Sequence, residues 1–556
     1  MNMTQETPFF HGRTHEVFNQ PPPLEPINLF TSDRALQDGV EREGGGWGGQ
    51  QLARYGEVAG GELMALGFAA NEHPPVLRAF DRFGHRIDTV DFHPAYHRIM
   101  TLGKEHGIHS LPWSNPGLGI HVVRAALHYL HSQAEAGTGC PLTMTHAAIA
   151  ALRRQSDVAV WWESRILANH YDPRDLPAEQ KTGLTIGMGM TEKQGGSDVR
   201  ANTTRALALG GGGPGQPYEL VGHKWFMSAP MSDAFLVLAQ TDKGLSCFLM
   251  PRWRPDGTRN AIHIQRLKAK LGDHANASSE VEFHGAYAVM IGEEGRGVPT
   301  ILEMVMQTRV DCMIGSSAIM RQAIAQALHH AAHRQAFGKR LIDQPLMQNV
   351  LADLAIESEA HSALMLRVCR AYDHASCEQE ALFARLATCI GKYWVCKRTP
   401  VVVNEAQECL GGAGYVEEHI LPRLYRQAPL NSIWEGAGNI QCLDMLRAMA
   451  REPRTLEAML LEINQAKGGN KHLDAFVVQL EHELADLDAL ELRSRLLAER
   501  LALALQGSIL VRAGFSAVAD AFCASRLAGQ HGQALGTLPQ GLDLGAIIQR
   551  AMPQQE

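Results

Sequence analysis

The segment GMGMTEKQGGSDVRANTT, residues 187–204, decides how the rest of this chain is read. Its glycines let backbone N–H groups approach a ligand, and Thr191 and Ser197 add hydroxyls, which suits a loop wrapped on an anionic, ring-bearing cofactor. Gly-Ser-Asp clusters are also ordinary turn chemistry, so both readings stand at this point. The segment opens a run of short apolar or alternating stretches: LTIGMGM from Leu184, YELVGHKWFM from Tyr218, AFLVLAQ from Ala234, LSCFLM from Leu245, AIHIQRL from Ala261 and EVEFH from Glu280. Gly, Pro, Asp and Asn separate them, the pattern of strands and turns. A compact β domain is therefore expected over 184–292.

Working outward, residues 1–183 read as helices joined by loops, with Val123, Leu127 and Leu130 at the i, i+4, i+7 spacing of a core-facing stripe. Helical periodicity returns over 293–450, expected as a helical bundle domain. Residues 451–556 form a C-terminal helical domain in which ELRSRLLAERLALALQGSILVRAGF predicts one long helix or two. The expected fold class is mainly α with a central β domain.

Composition narrows the function classes. The 556 residues are 45% hydrophobic and 20% charged, near globular averages, which excludes a disordered or fibrous chain. A formal charge of −8 means that nucleic-acid binding needs a local basic patch rather than net attraction. The N-terminus MNMTQETPFFHGRTHEVFNQPPP has no apolar run of export-signal length, and no stretch reaches the roughly 18 apolar residues that span a bilayer. Ten cysteines scattered without a CxxC pair fit reduced thiols and a cytoplasmic protein better than disulfides or a metal-thiolate site.

Several motif-like stretches do not hold up. Gly44, Gly46 and Gly49 spell GxGxxG, as do Gly210, Gly212 and Gly215, yet neither has the preceding strand and following helix that bring pyrophosphate to a helix N-terminus. The first follows a helix-like charged segment; the second reads as a hairpin loop. His329 and His333 have the helical spacing of two metal ligands, but no HExxH glutamate or third ligand accompanies them, so no metal is expected. No GxSxG elbow or P-loop is present.

Within residues 187–204, Met190-Thr191-Glu192 through Gly195-Gly196-Ser197-Asp198 resembles the flavin-binding signature of the acyl-CoA dehydrogenase family. Three further segments, in the family's order, strengthen the resemblance. HKWFMSAP resembles the strand whose aromatic residue, here taken as Trp225, covers the flavin, with Phe226, Met227 and Ser228 beside it. RQAFGKRLIDQPLMQ, with Arg334 and Phe337, resembles a stretch reaching the FAD of a neighbouring subunit, and QECLGGAGYVEE, with Gly411 and Gly412, resembles the loop at the same cofactor's diphosphate. In SIWEGAGNIQCLDMLR, Glu435 stands where most members keep the catalytic base, with Ile433, Trp434, Gly436 and Asn439 around the flavin. A glutamate opening a helix after a turn fits Glu435 too. Some members carry the base before an arginine instead, and there this chain has Thr308, which cannot act as a base.

The resemblance implies FAD, a homotetramer with shared cofactor sites, and removal of a thioester α-proton by Glu435 as hydride leaves the β-carbon for the flavin. Departures from the common pattern include Trp434 for tyrosine, Gln427 for an acid, Glu408 for glutamine, and Ala437 and Asn439 after the base, which makes turnover of a long acyl-CoA doubtful. Segments outside the shared core, such as THEVFNQPPPL and FHPAYH, together with the added C-terminal domain, resemble a bacterial branch of the family that serves the adaptive response to DNA alkylation. That branch implies binding to double-stranded DNA, protection of DNA or inactivation of alkylating compounds, and at most weak activity on branched thioesters such as isovaleryl-CoA. A metabolic dehydrogenase passing electrons to an electron-transfer flavoprotein, without DNA binding, stays open beside it. Arg447, Arg451 and Arg454 recur at i, i+4 and i+7, expected as one helix face that follows a phosphate backbone or, more plainly, as a solvated arginine face. Residues 451–556, Arg451 and Arg454 included, carry 10 basic and 13 acidic residues.

Overall fold

A computed structural model describes residues 14–554. Residues 1–13, part of the segment read above for an export signal, lie outside the described residues.

The strand-rich tract folds as expected and adds one strand. β1 (Val76–Phe80) and β2 (Arg86–Asp91) come first, in the N-terminal region; β3 (Ile186–Gly189), β4 (Arg205–Ala208), β5 (Pro217–Ser228), β6 (Ala234–Thr241), β7 (Gly244–Pro251), β8 (Ile262–Leu267) and β9 (Ser278–Ile291) follow. The last seven form one sheet in the order β3-β6-β4-β5-β9-β7, with β8 on β9. Pairing of β6 with β7 as well closes the path on itself, so the sheet is barrel-like. Its interior packs Phe235, Phe248 and Phe283, all buried, each worth roughly 1.5–3 kcal/mol of burial. The short β4 was hidden from sequence reading by its mostly exposed residues. Gly210, Gly212 and Gly215 lie in the loop between antiparallel β4 and β5, a hairpin connection as expected.

The N-terminal region is not purely helical. VLRAF and RIDTVD pair antiparallel as β1 and β2 around an Asp81 turn, in which Asp81 accepts the N–H groups of Phe83 and His85. Elsewhere it is helical, with Ile120–Ala134 and Gly139–Leu152 packed against the 37-residue helix Gly297–His333. That helix, with Pro345–Asp373 and Glu378–Glu408, forms the bundle after the sheet. Leu490–Ala513 is a single helix, resolving the one-or-two alternative. One continuous apolar core runs from Leu36 through Ile319 and Leu364 to Leu497 and Ile548, so the N-terminal, bundle and C-terminal helices share it. A second cluster joins Leu152 and Ile166 to Ile186, Leu236 and Ile301, gluing sheet to helices.

The arginine stripe needs a correction. Gly438–Arg451 ends at Arg451, and a new helix, Arg454–Asn464, starts after Pro453. Proline cannot donate the backbone hydrogen bond that would continue a helix. Arg447 and Arg451 share one helix, whereas Arg454 opens the next and pairs with Glu452 and Glu378.

Candidate active site between sheet and helices

Between the sheet and the helices lies a cavity of about 620 Å³. Met190, Thr191, Gly196 and Ser197 line it from the glycine-rich loop, Phe226 and Ser228 from β5, and Ile433, Trp434, Glu435 and Gly436 from the segment before Gly438–Arg451. Three tracts as much as 246 positions apart thus meet at one hollow.

The glycine-rich loop is held by charge from below. Lys224 Nζ lies 2.7 Å from Glu192 Oε1, both side chains fully buried. Glu192 also accepts the N–H of Thr203 at 2.7 Å, the Thr203 hydroxyl at 3.0 Å and the Gln194 amide at 2.8 Å. Burial alone would raise the Glu192 carboxyl, but the Lys224 charge and these donors hold it well below the usual carboxylate range. Burial pushes the Lys224 ammonium down to about 8 against the pull of Glu192. The loop's charge is thereby used inside the fold. Gly196 is required because a Cβ there would meet Thr191 Oγ1 at 2.3 Å, and Ser228 Oγ lies 2.9 Å from Ser278 Oγ. Glycine backbone and neutral hydroxyls therefore face the cavity, a lining that fits a flat ring system with polar edges and a diphosphate tail.

The course of β5 corrects one assignment. Phe226 and Ser228 line the cavity while Trp225 and Met227 do not, and the register shifts between Lys224 and Met227, so simple alternation does not carry across Trp225 and Phe226. Met227 is buried in the barrel interior. Trp225 lies under cations instead, with Lys268 Nζ 3.4 Å from its ring centroid and Arg266 and Lys193 each at 5.7 Å. Phe226, half exposed, is the aromatic residue of β5 that faces the cavity.

Glu435 sits on strained backbone, φ +57, which an L-residue other than glycine adopts only when its surroundings hold it there. They do. Arg309 Nε donates to the Glu435 carbonyl at 3.1 Å, Gln441 Nε2 to the Glu435 and Gly436 carbonyls at 3.0 and 2.8 Å, and Lys392 Nζ to those of Trp434 and Gly436 at 2.7 and 2.6 Å. Arg309 is itself fixed by Asp444 at 2.7 Å. None of these clamps was visible in the sequence. The carboxyl keeps one side-chain donor, the Thr308 hydroxyl at 2.7 Å from Oε2. Burial raises the Glu435 carboxyl above the ordinary glutamate value; the Thr308 hydrogen bond and the Lys392 and Arg309 charges oppose this without cancelling it. A carboxylate so placed is a tuned proton acceptor. Thr308, in the alternative base position, touches the base instead of replacing it.

Other expected residues stand apart. Phe337 is 98% exposed at φ +53, in the turn of a short hairpin Gln335–Ala336 and Lys339–Arg340, where Arg334 donates to the Asn19 carbonyl at 2.6 Å. Gly411 and Gly412 are exposed and Asn439 lies exposed in the first turn of Gly438–Arg451. None of these five lines the cavity. Arg447 does, although it was expected on a DNA-facing stripe. His329 and His333 use a backbone carbonyl each, of Pro22 and His329, at 2.8 Å. Among the described residues no group of three or more His, Cys, Asp and Glu side chains is placed to hold a metal ion, and no helix is long and apolar enough to cross a membrane.

Comparisons with known proteins agree with this geometry. A family model for the N-terminal domain of the adaptive response protein AidB matches residues 19–173, and models for the middle and C-terminal domains of acyl-CoA dehydrogenase match 187–286 and 295–450. The chain is 49% identical over 477 residues to the Escherichia coli (strain K12) acyl-CoA dehydrogenase AidB, covering 85% of this chain and 87% of that one. It is 30% identical over 440 residues to acyl-CoA dehydrogenase family member 11 of Caenorhabditis elegans, covering 76% and 70%. The structure of C. elegans ACDH-11 in complex with C11-CoA superposes with a TM-score of 0.84 at 26% identity, over 100% of this chain and 95% of that one. The chain belongs to the acyl-CoA dehydrogenase family and is an FAD-dependent oxidoreductase of that type.

Proposed function

We propose that this enzyme takes a small acyl-CoA thioester and that Glu435 removes its α-proton. The observation that carries this reading is the Glu435 carboxyl, raised by burial, bonded through one hydroxyl and facing the cavity between loop and bundle. FAD, held by Thr191, Ser197, Ser228 and the backbone of Met190 and Gly196, supplies the acceptor for the β-hydrogen. Phe226 covers the ring, and Ile433, Trp434 and Gly436 close the opposite wall. The clamps on the carbonyls of residues 434–436 keep the base from turning away and leave the Glu435 backbone N–H for the thioester oxygen. Closure of this pocket against water keeps the base's affinity for protons high enough for a weakly acidic α-carbon.

The likeness to AidB supports a role in the adaptive response to DNA alkylation, with double-stranded DNA as partner and an alkylating compound or a branched thioester as the physiological substrate. It also supports a homotetramer, in which exposed Phe337, Arg334, Gly411 and Gly412 reach the FAD of a neighbouring copy. Pairing of Arg454 with two glutamates favours the second reading, a metabolic dehydrogenase without DNA. Anaerobic flavin bleaching by isovaleryl-CoA, set beside a salt titration of duplex DNA binding, tests both. Bleaching with DNA binding supports the first reading, bleaching without it the second, and no bleaching removes the acyl-CoA assignment.

A further inference from the structure

The cavity continues past the base, and its inner end is polar. On the helix Gly297–His333, the cavity-lining residues Thr308, Asp311, Gly315 and Ile319 fall on one face. Toward the start of that helix Leu302 is exposed, whereas Gly315 and Ile319 are buried, so the cavity runs inward from Glu435 at Thr308 towards Ile319. Asp311 lies one turn deeper than Thr308, about 4.5 Å at 1.5 Å per residue. An apolar wall would be expected there for an acyl tail. The inner end carries His128, Ser132 and Thr143 instead, all lining the cavity.

These side chains are built into place. Asp311 is fully buried, takes a two-pronged hydrogen bond from Arg124 and accepts the Thr143 hydroxyl at 2.6 Å. Burial would raise its carboxyl, but the Arg124 charge keeps it ionised, well below the usual range. Arg124, His128 and Ser132 are spaced four apart on Ile120–Ala134, so one helix face delivers all three. His128 Nδ1 lies 3.5 Å from Asp311 Oδ2 and makes no hydrogen bond, although the side chain is only 4% exposed. With Asp311 on the Nδ1 side, Nε2 is the ring nitrogen turned away from that carboxylate. Nε2 points toward Gly139, where a Cβ would meet it at 3.1 Å, and that glycine also lines the cavity. A polar atom that an acyl tail covers without pairing costs free energy.

Resting on the acyl-CoA reading above, we infer that His128 and Ser132 form a specificity subsite for an acyl group carrying a hydrogen-bond donor, a hydroxyl in the simplest case, beyond its β-carbon. Nε2 and the Ser132 hydroxyl together complete the substituent's hydrogen bonding. A plain alkyl tail offers His128 and Ser132 no partner, and a site that bonds a hydroxyl discriminates strongly against the analogue lacking it.

The test titrates the FAD-loaded protein anaerobically with hexanoyl-CoA and with 5-hydroxyhexanoyl-CoA, reading dissociation constants from the flavin spectrum. The parent should prefer the hydroxylated thioester by about tenfold or more, and His128→Leu combined with Ser132→Ala should remove that preference. Equal affinities in the parent, or a preference unchanged by the double substitution, overturn the subsite and leave the acyl-CoA reading intact. If neither thioester perturbs the flavin, the acyl-CoA reading falls and the subsite with it. Should His128→Leu fail to fold, His128→Gln and Ser132→Ala alone serve: each should shrink the ratio of the two constants, and an unchanged ratio in both rejects the inference.

Discussion

Two glutamates in neighbouring walls of one cavity have opposite chemistry. Glu192, beneath the glycine-rich loop, is met by Lys224 at 2.7 Å and by a set of further donors, and is held well below the usual carboxylate range. Glu435, across the cavity, has one hydroxyl at 2.7 Å and a carboxyl raised by burial. Both lie in motifs that resemble the family's, and residue type does not separate them. Environment does: a carboxylate saturated with donors becomes part of the framework, while one left nearly bare becomes a base. The cations near Glu435 are directed to backbone, since Arg309 and Lys392 donate to carbonyls of residues 434–436. They fix the base's position without neutralising it through direct pairing.

The comparison is broken most directly at the base. Glu435→Gln keeps the shape and cannot accept a proton, so single-turnover flavin reduction by an acyl-CoA should fall by roughly 10²–10⁴-fold with FAD still bound. A rate near the parent's would make another group the base. The same substitution carries a linked stability effect. Because folding raises this carboxyl, the folded state favours its protonated form, so that contribution is present at acid pH and is lost as pH rises from the ordinary glutamate value through the raised one. Urea titrations across that window should show the parent losing stability relative to Glu435→Gln; parallel curves would contradict the raised carboxyl.

The framework glutamate should respond in stability rather than in chemistry. Lys224→Met leaves Glu192 charged and unpaired in the interior, which costs about 3–5 kcal/mol. Release of FAD at lower urea than the parent, read by flavin fluorescence, is the expected result. Adding Glu192→Gln should recover part of the loss because no bare charge then remains. If the single substitution were as stable as the parent, the ion pair would not be what holds the loop.

Much of this cavity was legible because its motifs are local. The loop 187–204 and the Trp434-Glu435-Gly436 turn each carry their own glycines and polar groups, and a β domain flanked by helices followed from a change of periodicity. What failed was orientation. HKWFMSAP puts two aromatic residues side by side at a register shift of β5, between Lys224 and Met227, and only the folded strand brings Phe226 and not Trp225 to the cavity. Pro453 stands between Arg451 and Arg454 as a helix-ending signal, and it outweighs the i, i+4, i+7 spacing of the arginines. VLRAF and RIDTVD have no sustained apolar-polar alternation, so β1 and β2 left no clear strand pattern beside their helical neighbours. The contacts between Thr308 and Glu435, 127 positions apart, and between Arg124 and Asp311, 187 apart, arise from tertiary packing and leave no local pattern.

Thr308 sharpens the difference between the two glutamates. Its hydroxyl has one hydrogen and two acceptors in reach, Glu435 Oε2 at 2.7 Å and the Val305 carbonyl at 3.0 Å. With Glu435 ionised it donates to the carboxylate; with Glu435 protonated it turns to Val305 and accepts. Thr308→Val removes the donor to the ionised form, an interaction worth about 1.5–3 kcal/mol for a charged acceptor. The acidic limb of the pH–rate profile should therefore move further up, and the rate at neutral pH should drop several-fold and recover in alkali. A profile unchanged in position would mean that Thr308 does not set the base's proton affinity.

The smallest expected effect concerns DNA, and the break at Pro453 now makes the arginines distinguishable. Arg447 and Arg451 lie four apart on one helix, both exposed, but Arg447 also lines the cavity and lies 3.6 Å from Asp444. Arg454 is engaged by Glu452 and Glu378. If this face meets duplex phosphates, Arg451→Ala should lower the slope of log K against log salt by about 0.9, with little dependence on base sequence, because a phosphate contact positions a duplex without reading it. Arg454→Ala should leave the slope as it was, since a guanidinium shared by two carboxylates has little free charge to release counterions. A tetramer would repeat the contact, so a modest loss in each copy is multiplied in overall affinity. Equal slopes for the parent and Arg451→Ala would remove this face from the DNA proposal, and a lower slope for Arg454→Ala alone would show that its glutamates give way to phosphate.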